Sequence, residues 1–340
     1  MRTLIESYRN FPGEHCGSVA MRGLLNHYCG LELSEPAVFG LGSGAACLFI
    51  SSPEMDPCRM VVGRGGTLEQ DVASALGVDY RERREPDDAL AWQQVRDEVL
   101  AGRPTMLSGD ILYLDYRDYK VHFPGHRFVL LGFDDESQKA YIADRIRVEP
   151  ELCSYGALAK SRNPPEGLST QNLWGRFHGT RVEHGLDEAT RIALDRCARG
   201  MLGEEREGMT FGAAGENTRV SIGIAAIRAL AADLPSWPGL PDPGWVASYN
   251  ARCIEKFGNG GGNFRRLYAG FLAWADERGL VPADAARRAS EAADGWTALS
   301  STLFEASQEG ADPALFARAG EQATAIADIE EHLFESLAAR

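Results

Sequence analysis

The sequence predicts an α+β protein in two parts, a mixed strand-and-helix first half and a helical second half. Three observations carry this. The apolar run Arg127-Phe128-Val129-Leu130-Leu131-Gly132-Phe133 is followed, across Asp134-Asp135-Glu136-Ser137, by Ala140-Tyr141-Ile142-Ala143, the pattern of a β-hairpin. Helical patterns precede it in the same half. Beyond His184, apolar residues recur mainly at helical spacing over Leu186 to Met201, Val220 to Leu230, Phe264 to Glu277, Ala283 to Phe304 and Asp312 to Ala339. The expected organisation is a first domain over 1–150, a loop-rich linker over 151–184 containing Asn163-Pro164-Pro165-Glu166-Gly167, and an all-helical domain over 185–340.

In chain order, Phe11-Pro12-Gly13-Glu14-His15-Cys16-Gly17 sets a cysteine at the head of a helix. Met21, Leu24, Leu25 and Tyr28 follow at helical spacing, and Gly30 is the stop. A thiol there faces unpaired backbone N–H groups and the positive end of the helix dipole, both of which favour the thiolate. The competing reading is an inert core thiol, since free cysteine is among the most buried residue types. Ser34 is placed to cap a short turn that opens with Glu35 and Pro36 and ends in Gly40-Leu41-Gly42-Ser43-Gly44, and Ser34 and Glu35 count among the candidate oxyanion or substrate-binding residues. That glycine cluster lacks the P-loop ending, the dinucleotide pattern and the nucleophile elbow, and reads as close backbone packing. Helices are expected over Thr67 to Ala75 and Asp88 to Leu100, stopped by Gly77 and Gly102, with a charged loop, Arg81-Glu82-Arg83-Arg84-Glu85, between them. Arg103-Pro104 then opens a strand over Thr105 to Ser108.

His126 precedes the first hairpin strand and Asp144 follows the second, both equidistant from Asp135. In an antiparallel hairpin such positions are cross-strand neighbours about 5 Å apart. A carboxylate beside an imidazole fixes its tautomer and orientation, as a general base requires. His122 and His126 also form an H-x-x-x-H pair. On extended chain that spacing does not converge on one ion, and no Cys or Glu partner stands at zinc spacing, so no metal is expected. His122 is left as a substrate-pocket residue, a structural histidine or an alternative base.

Composition is that of a globular protein, with 44% hydrophobic and 25% charged residues in 340. A net charge of −14 argues against a general nucleic-acid binder and an anionic membrane surface. Seven cysteines without a C-x-x-C pair suggest neither a disulfide framework nor a zinc knuckle. With no apolar signal core after Met1 and no membrane-length apolar run, the expectation is a reduced cytoplasmic protein. Gly258-Asn259-Gly260-Gly261-Gly262-Asn263 runs into a helix with Arg265 and Arg266 in its first turn. This is either an anion site for a phosphopantetheine phosphate or a substrate carboxylate, or a plain interhelical loop with surface arginines.

Glu14-His15-Cys16, Leu33-Ser34-Glu35 with the glycine cluster, Ala101-Gly102-Arg103-Pro104, His122-Phe123 with His126, and Tyr141-Ile142-Ala143-Asp144 together resemble the butirosin biosynthesis protein H N-terminal family. Ile254-Glu255-Lys256-Phe257-Gly258 through Phe264-Arg265-Arg266-Leu267-Tyr268 resembles the helical domain of unknown function that often follows it. The resemblance implies a papain-like cysteine-peptidase fold. It also implies an acyltransferase that moves an aminoacyl group from an acyl carrier protein thioester to a small amine, with Cys16 as nucleophile, His126 as base and Asp144 as orienting residue. Where family members continue the glycine segment with glycine and aromatic residues, Ala45-Ala46-Cys47 stand here. If that loop lines the acyl pocket, a different donor group is implied.

A free thiol has a pKa near 8.5, and a helix terminus contributes about 0.3–1 kcal/mol, with about 2 as a limit. That is less than roughly 1.5 pKa units, so an imidazolium partner must supply the rest of the ionisation. The Cys16 N–H is one expected oxyanion donor, with Asn10 or His15 as the second. No cofactor is called for. A peptidase or amidase would use the same three residues with water as acceptor, and a non-catalytic scaffold would form no acyl adduct. The helical half would bind the carrier protein, close the active site or mediate a homodimer.

Overall fold

A computed structural model describes residues 1–204, 217–308 and 310–339. Half of the chain is helical and 16% is strand, an α+β protein. Its contacts divide it into two units, Met1–Glu35 with Gly77–Glu183, and Pro36–Leu76 with His184–Arg340. Residues 36–76, which a division at 150 assigns to the first domain, thus group with the C-terminal half.

The first unit opens with β1 (Arg2–Leu4) and α1 (Cys16–Cys29). The extended His15 caps α1, and Gly30, at φ 65°, closes it by donating its N–H to Asn26 and Leu25 carbonyls. After α2 (Glu35–Leu41), β2 (Ala45–Ser51), β3 (Arg59–Arg64) and α3 (Leu68–Leu76), the chain returns with β4 (Tyr80–Arg83), α4 (Asp88–Leu100), β5 (Thr105–Gly109), β6 (His126–Asp134) and β7 (Lys139–Ala143). β8 (Glu151–Ser154), α5 (Tyr155–Arg162) and β9 (Trp174–Phe177) complete the unit. Seven strands form one sheet in the order β4-β9-β5-β6-β7-β8, with β1 added along β6. Phe128, Val129 and Leu130 on β6 and Met106 and Leu107 on β5 are wholly buried, the apolar centre that the sequence pattern marks.

Two expectations are corrected here. The charged stretch after Tyr80 is a strand, β4, not a loop: Tyr80 and Glu82 turn inward, Arg81 and Arg83 outward. Glu82 pairs with Arg127 at 3.2 Å and Arg83 lies 4.1 Å over the Trp174 ring, partners too distant in sequence to anticipate. Residues 151–184 are not simply a linker either. They supply β8, α5 and β9, and β9 lies between β4 and β5 within the sheet.

The second unit holds α2, β2, β3 and α3 together with α6 (Leu186–Met201), β10 (Arg219–Ile222), α7 (Gly223–Asp233), α8 (Pro243–Glu255), α9 (Arg265–Asp276), α10 (Ala285–Gln308) and α11 (Pro313–Ala338). The C-terminal part is not all-helical, because β10 pairs antiparallel with β2, which pairs with β3. Its Val220 and Ile222 suit a strand. Gly223, at φ 61° and with room for no Cβ beside the Met201 carbonyl, makes the turn into α7. The glycine cluster serves packing: a Cβ on Gly40 would strike the Phe271 ring, and one on Gly44 the Phe39 ring.

Candidate active site

The loop before α1 is shaped by a buried carboxylate. Glu35 accepts the N–H of Glu14 at 3.0 Å on each oxygen and that of His15 at 2.7 Å. Burial pushes its pKa up, against the two backbone N–H groups that pull it down. Gly13 is required, since a Cβ there would lie 2.3 Å from a Glu35 oxygen. Expected as a substrate-binding candidate, Glu35 instead fixes the peptide that presents Cys16. The His15 ring accepts the Ser18 N–H on Nδ1 at 3.2 Å, so the neutral ring carries its proton on Nε2. Ser34 is exposed, immediately before α2.

Cys16, His126 and Asp144 come together. The Cys16 thiol hydrogen-bonds the His126 ring, and His126 Nε2 meets Asp144 Oδ1 at 3.0 Å. With Nε2 so engaged, Nδ1 is the nitrogen that remains for the sulfur. All three are buried, at 6%, 4% and 3% exposure. The pairing is real, but its geometry corrects the expected symmetry about Asp135. The turn occupies residues 135–138, so Asp134 faces Lys139 and Gly132 faces Tyr141. A one-residue shift at Leu131 then aligns Leu130 with Ile142 and Val129 with Ala143. Continued one step, this register sets Asp144 opposite Phe128, diagonal to His126 on the same face. Without the shift Asp144 would face Val129 and point to the other side, since a one-residue slip flips every side chain.

Burial alone would lower the His126 pKa. The Asp144 charge and hydrogen bond, with those of Cys16, outweigh it and raise the ring to about 10. Burial acts on Asp144 in the opposite sense, yet the His126 charge and three donors hold it down at about 2. Those donors are His126, the Arg145 N–H at 2.7 Å and the Tyr116 hydroxyl at 2.9 Å. The site therefore favours an imidazolium beside the thiol at neutral pH.

Asn10 is not an oxyanion donor. Its Nδ2 donates to the carbonyls of Asp144 at 2.6 Å and Arg147 at 2.5 Å, which takes both amide hydrogens and pins the turn that carries Asp144. Gly13 N–H donates to the Arg145 carbonyl at 2.8 Å, joining the Cys16 loop to the same turn. His122 belongs to a different carboxylate. Its Nδ1 lies 2.6 Å from Asp110, whose other oxygen accepts the N–H groups of Leu112 and Phe123, and its side chain is 59% exposed. The thiol partner is His126.

Sequence reasoning missed the segment between β5 and β6. It brings Tyr116 to Asp144, and Tyr119 within electrostatic reach of Asp144 and Cys16; burial, then those charges, raises the Tyr119 pKa. The only local signal was three tyrosines, Tyr113, Tyr116 and Tyr119, in seven residues between two strands.

The glycine loop of the second unit is not an anion site. Arg265 is 1% exposed. Its Nε and Nη2 meet the two Glu330 oxygens at 2.8 Å each, and its Nη1 donates to the carbonyls of Ala46, Gly63 and Asn263. The loop N–H groups of Gly261 and Gly262 already donate to Asn259 and Glu255. Arg266 lies on the surface with Asp294 and Thr297. Among the described residues no three His, Cys, Asp or Glu gather as a metal site, and no helix is long and apolar enough to cross a membrane.

No curated protein matches the chain. Residues 15–145 match the family model described as butirosin biosynthesis protein H, N-terminal, a span that holds Cys16, His126 and Asp144. Residues 157–337 match a domain of unknown function, DUF4872. The name ties the first family to an enzyme of natural-product biosynthesis. The chain thus belongs to the butirosin biosynthesis protein H family, with the domain of unknown function as its C-terminal part.

Proposed function

We propose that the protein is a cysteine-dependent acyltransferase with a papain-like catalytic unit. It would take an acyl or aminoacyl group from an acyl carrier protein thioester onto Cys16 and pass it to a small amine. The observation that carries this reading is the buried chain from the Cys16 thiol through His126 to Asp144, with its 3.0 Å His126–Asp144 contact.

The Cys16 thiolate adds to the thioester carbonyl carbon. The tetrahedral adduct then collapses by breaking the carbonyl–sulfur bond to the carrier, and the His126 imidazolium gives its proton to the departing thiolate. In the second half, an amine adds to the acyl-Cys16 carbonyl, neutral His126 accepts the amine proton, and the Cys16 thiolate leaves. Asp144 keeps the His126 ring aimed at the sulfur throughout, as a positioning residue. First-turn N–H groups of α1, with the His15 Nε2–H, are the donors proposed for the oxyanion, each worth about 10²–10³ in rate where such a donor is used.

The test is to incubate the full chain with an acylated carrier protein and, in parallel, with or without a panel of small amines. Transfer predicts an amide product that forms with the wild type and not with Cys16→Ala. Free acid alone, formed at the same rate with and without amine, would make the protein a thioesterase. No Cys16-dependent product of either kind would remove the enzymatic reading.

A further inference from the structure

The first unit contains a cavity of about 260 Å³ that includes none of Cys16, His126 and Asp144. It lies between α4 and α5, walled by Ala89, Trp92, Tyr155, Leu158 and Ala159, with Asp88, Arg162 and Asn172 as its polar members. We propose that this cavity binds a small organic carboxylate, its carboxylate on the Arg162 guanidinium and its apolar body against Trp92, Tyr155 and Leu158.

Arg162 is the observation that points to a ligand. It is 2% exposed, yet its guanidinium has one hydrogen bond, Nη2 to the Asn172 carbonyl at a long 3.4 Å. Its enclosed Nε has no partner. Asp88 is the counter-charge that acts on it, but it makes no ion pair with Arg162, and its Oδ1 is already held by Asn163 at 2.7 Å and Asn172 at 2.8 Å. A buried charge without a bound counter-ion is unfavourable, and the contrast with Arg265, whose Nε, Nη1 and Nη2 all donate and which is paired with Glu330, is internal to the molecule. A carboxylate would supply the planar acceptor pair that a guanidinium fork matches.

The walls select the rest of the ligand. Trp92 and Tyr155 pack at 4.9 Å between ring centroids, a surface for a flat or branched apolar group rather than for a hydrated inorganic anion. The volume lies just under the roughly 300–1,000 Å³ of drug-sized pockets, which favours a compact monocarboxylate.

The experiment is calorimetric titration of the full chain with 3-phenylpropionate, its uncharged amide 3-phenylpropanamide, and inorganic phosphate. The acid should bind saturably and about tenfold or more tighter than the amide, the usual worth of a charge-assisted bond, with phosphate weaker than the acid. Arg162→Met should remove the preference for acid over amide. Because that variant removes a buried group, Ala159→Phe serves as the second: it fills the cavity from an exposed position and should weaken acid and amide alike. Equal affinity for acid and amide, tighter binding of phosphate than of the acid, absence of saturable binding by the wild type, or binding that survives Ala159→Phe unchanged would each overturn the proposal.

Discussion

Two buried charge clusters, one in each unit, match in burial and differ in what they leave available. Around Arg265 in the second unit, the bidentate Glu330, three backbone carbonyls and the Trp296 Nε1–H on Glu330 satisfy the pair from every side. Around His126 in the first unit, Asp144 is satisfied just as fully by the ring, the Arg145 N–H and Tyr116. Here, however, the ring's other nitrogen faces a thiol at a helix start. Burial and ion pairing do not mark a functional site on their own. What sets the first cluster apart is the thiol at the end of its chain of partners.

Variants that separate the two clusters make this comparison breakable. Cys16→Ala should abolish acyl-enzyme formation from any thioester while leaving the fold's circular dichroism intact. His126→Gln should slow acylation about 10²–10⁴-fold, the usual span for a general acid–base residue, measured by stopped-flow release of the thiol. Glu330→Gln should act on stability instead. Breaking a buried pair costs about 3–5 kcal/mol, which would appear in the denaturation midpoint, with acylation by the folded fraction unchanged. An acylation defect in Glu330→Gln matching that of His126→Gln would erase the distinction.

Smaller effects probe what tunes the imidazole. A His126 pKa raised to about 10 means that the imidazolium is present below that value and is lost as pH rises through it. Acylation should therefore fall on the alkaline side toward pH 10, and any stability from the His126–Asp144 pair should vanish over the same limb, being complete below the ordinary histidine value of about 6.5. Asp144 is the largest of the influences that raise that pKa, so Asp144→Asn should move the alkaline limb down, read from the rate–pH profile. Tyr116→Phe removes one of three donors to Asp144. By leaving the carboxylate more basic it should move the limb slightly up, with the smallest change in rate of the series.

How far this was legible in the sequence depends on the distance between partners. The Cys16 helix could be read because the apolar spacing and the Gly30 stop are local grammar. The His126–Asp144 pairing was also within reach, since one hairpin carries both, although the one-residue shift at Leu131 that puts them on one face has no sequence mark. β4 and β9 were not legible, because β4 pairs with β9 across some 90 residues and β9 also pairs with the distant β5, and alternating charges resemble a surface loop until the opposing strand is known. The same holds for Asn10, Glu35 and Arg265. Their polar groups promised ligand contacts, and only the folded chain shows the backbone groups, or Glu330, standing in front of them.

The central claim, that Cys16 carries the acyl group, is tested most directly by intact-protein mass spectrometry after brief incubation with an acyl thioester. The account predicts a single added acyl mass on the wild type, mapped to Cys16, and none on Cys16→Ala. An unshifted wild type, or an equal shift on Cys16→Ala, would contradict it.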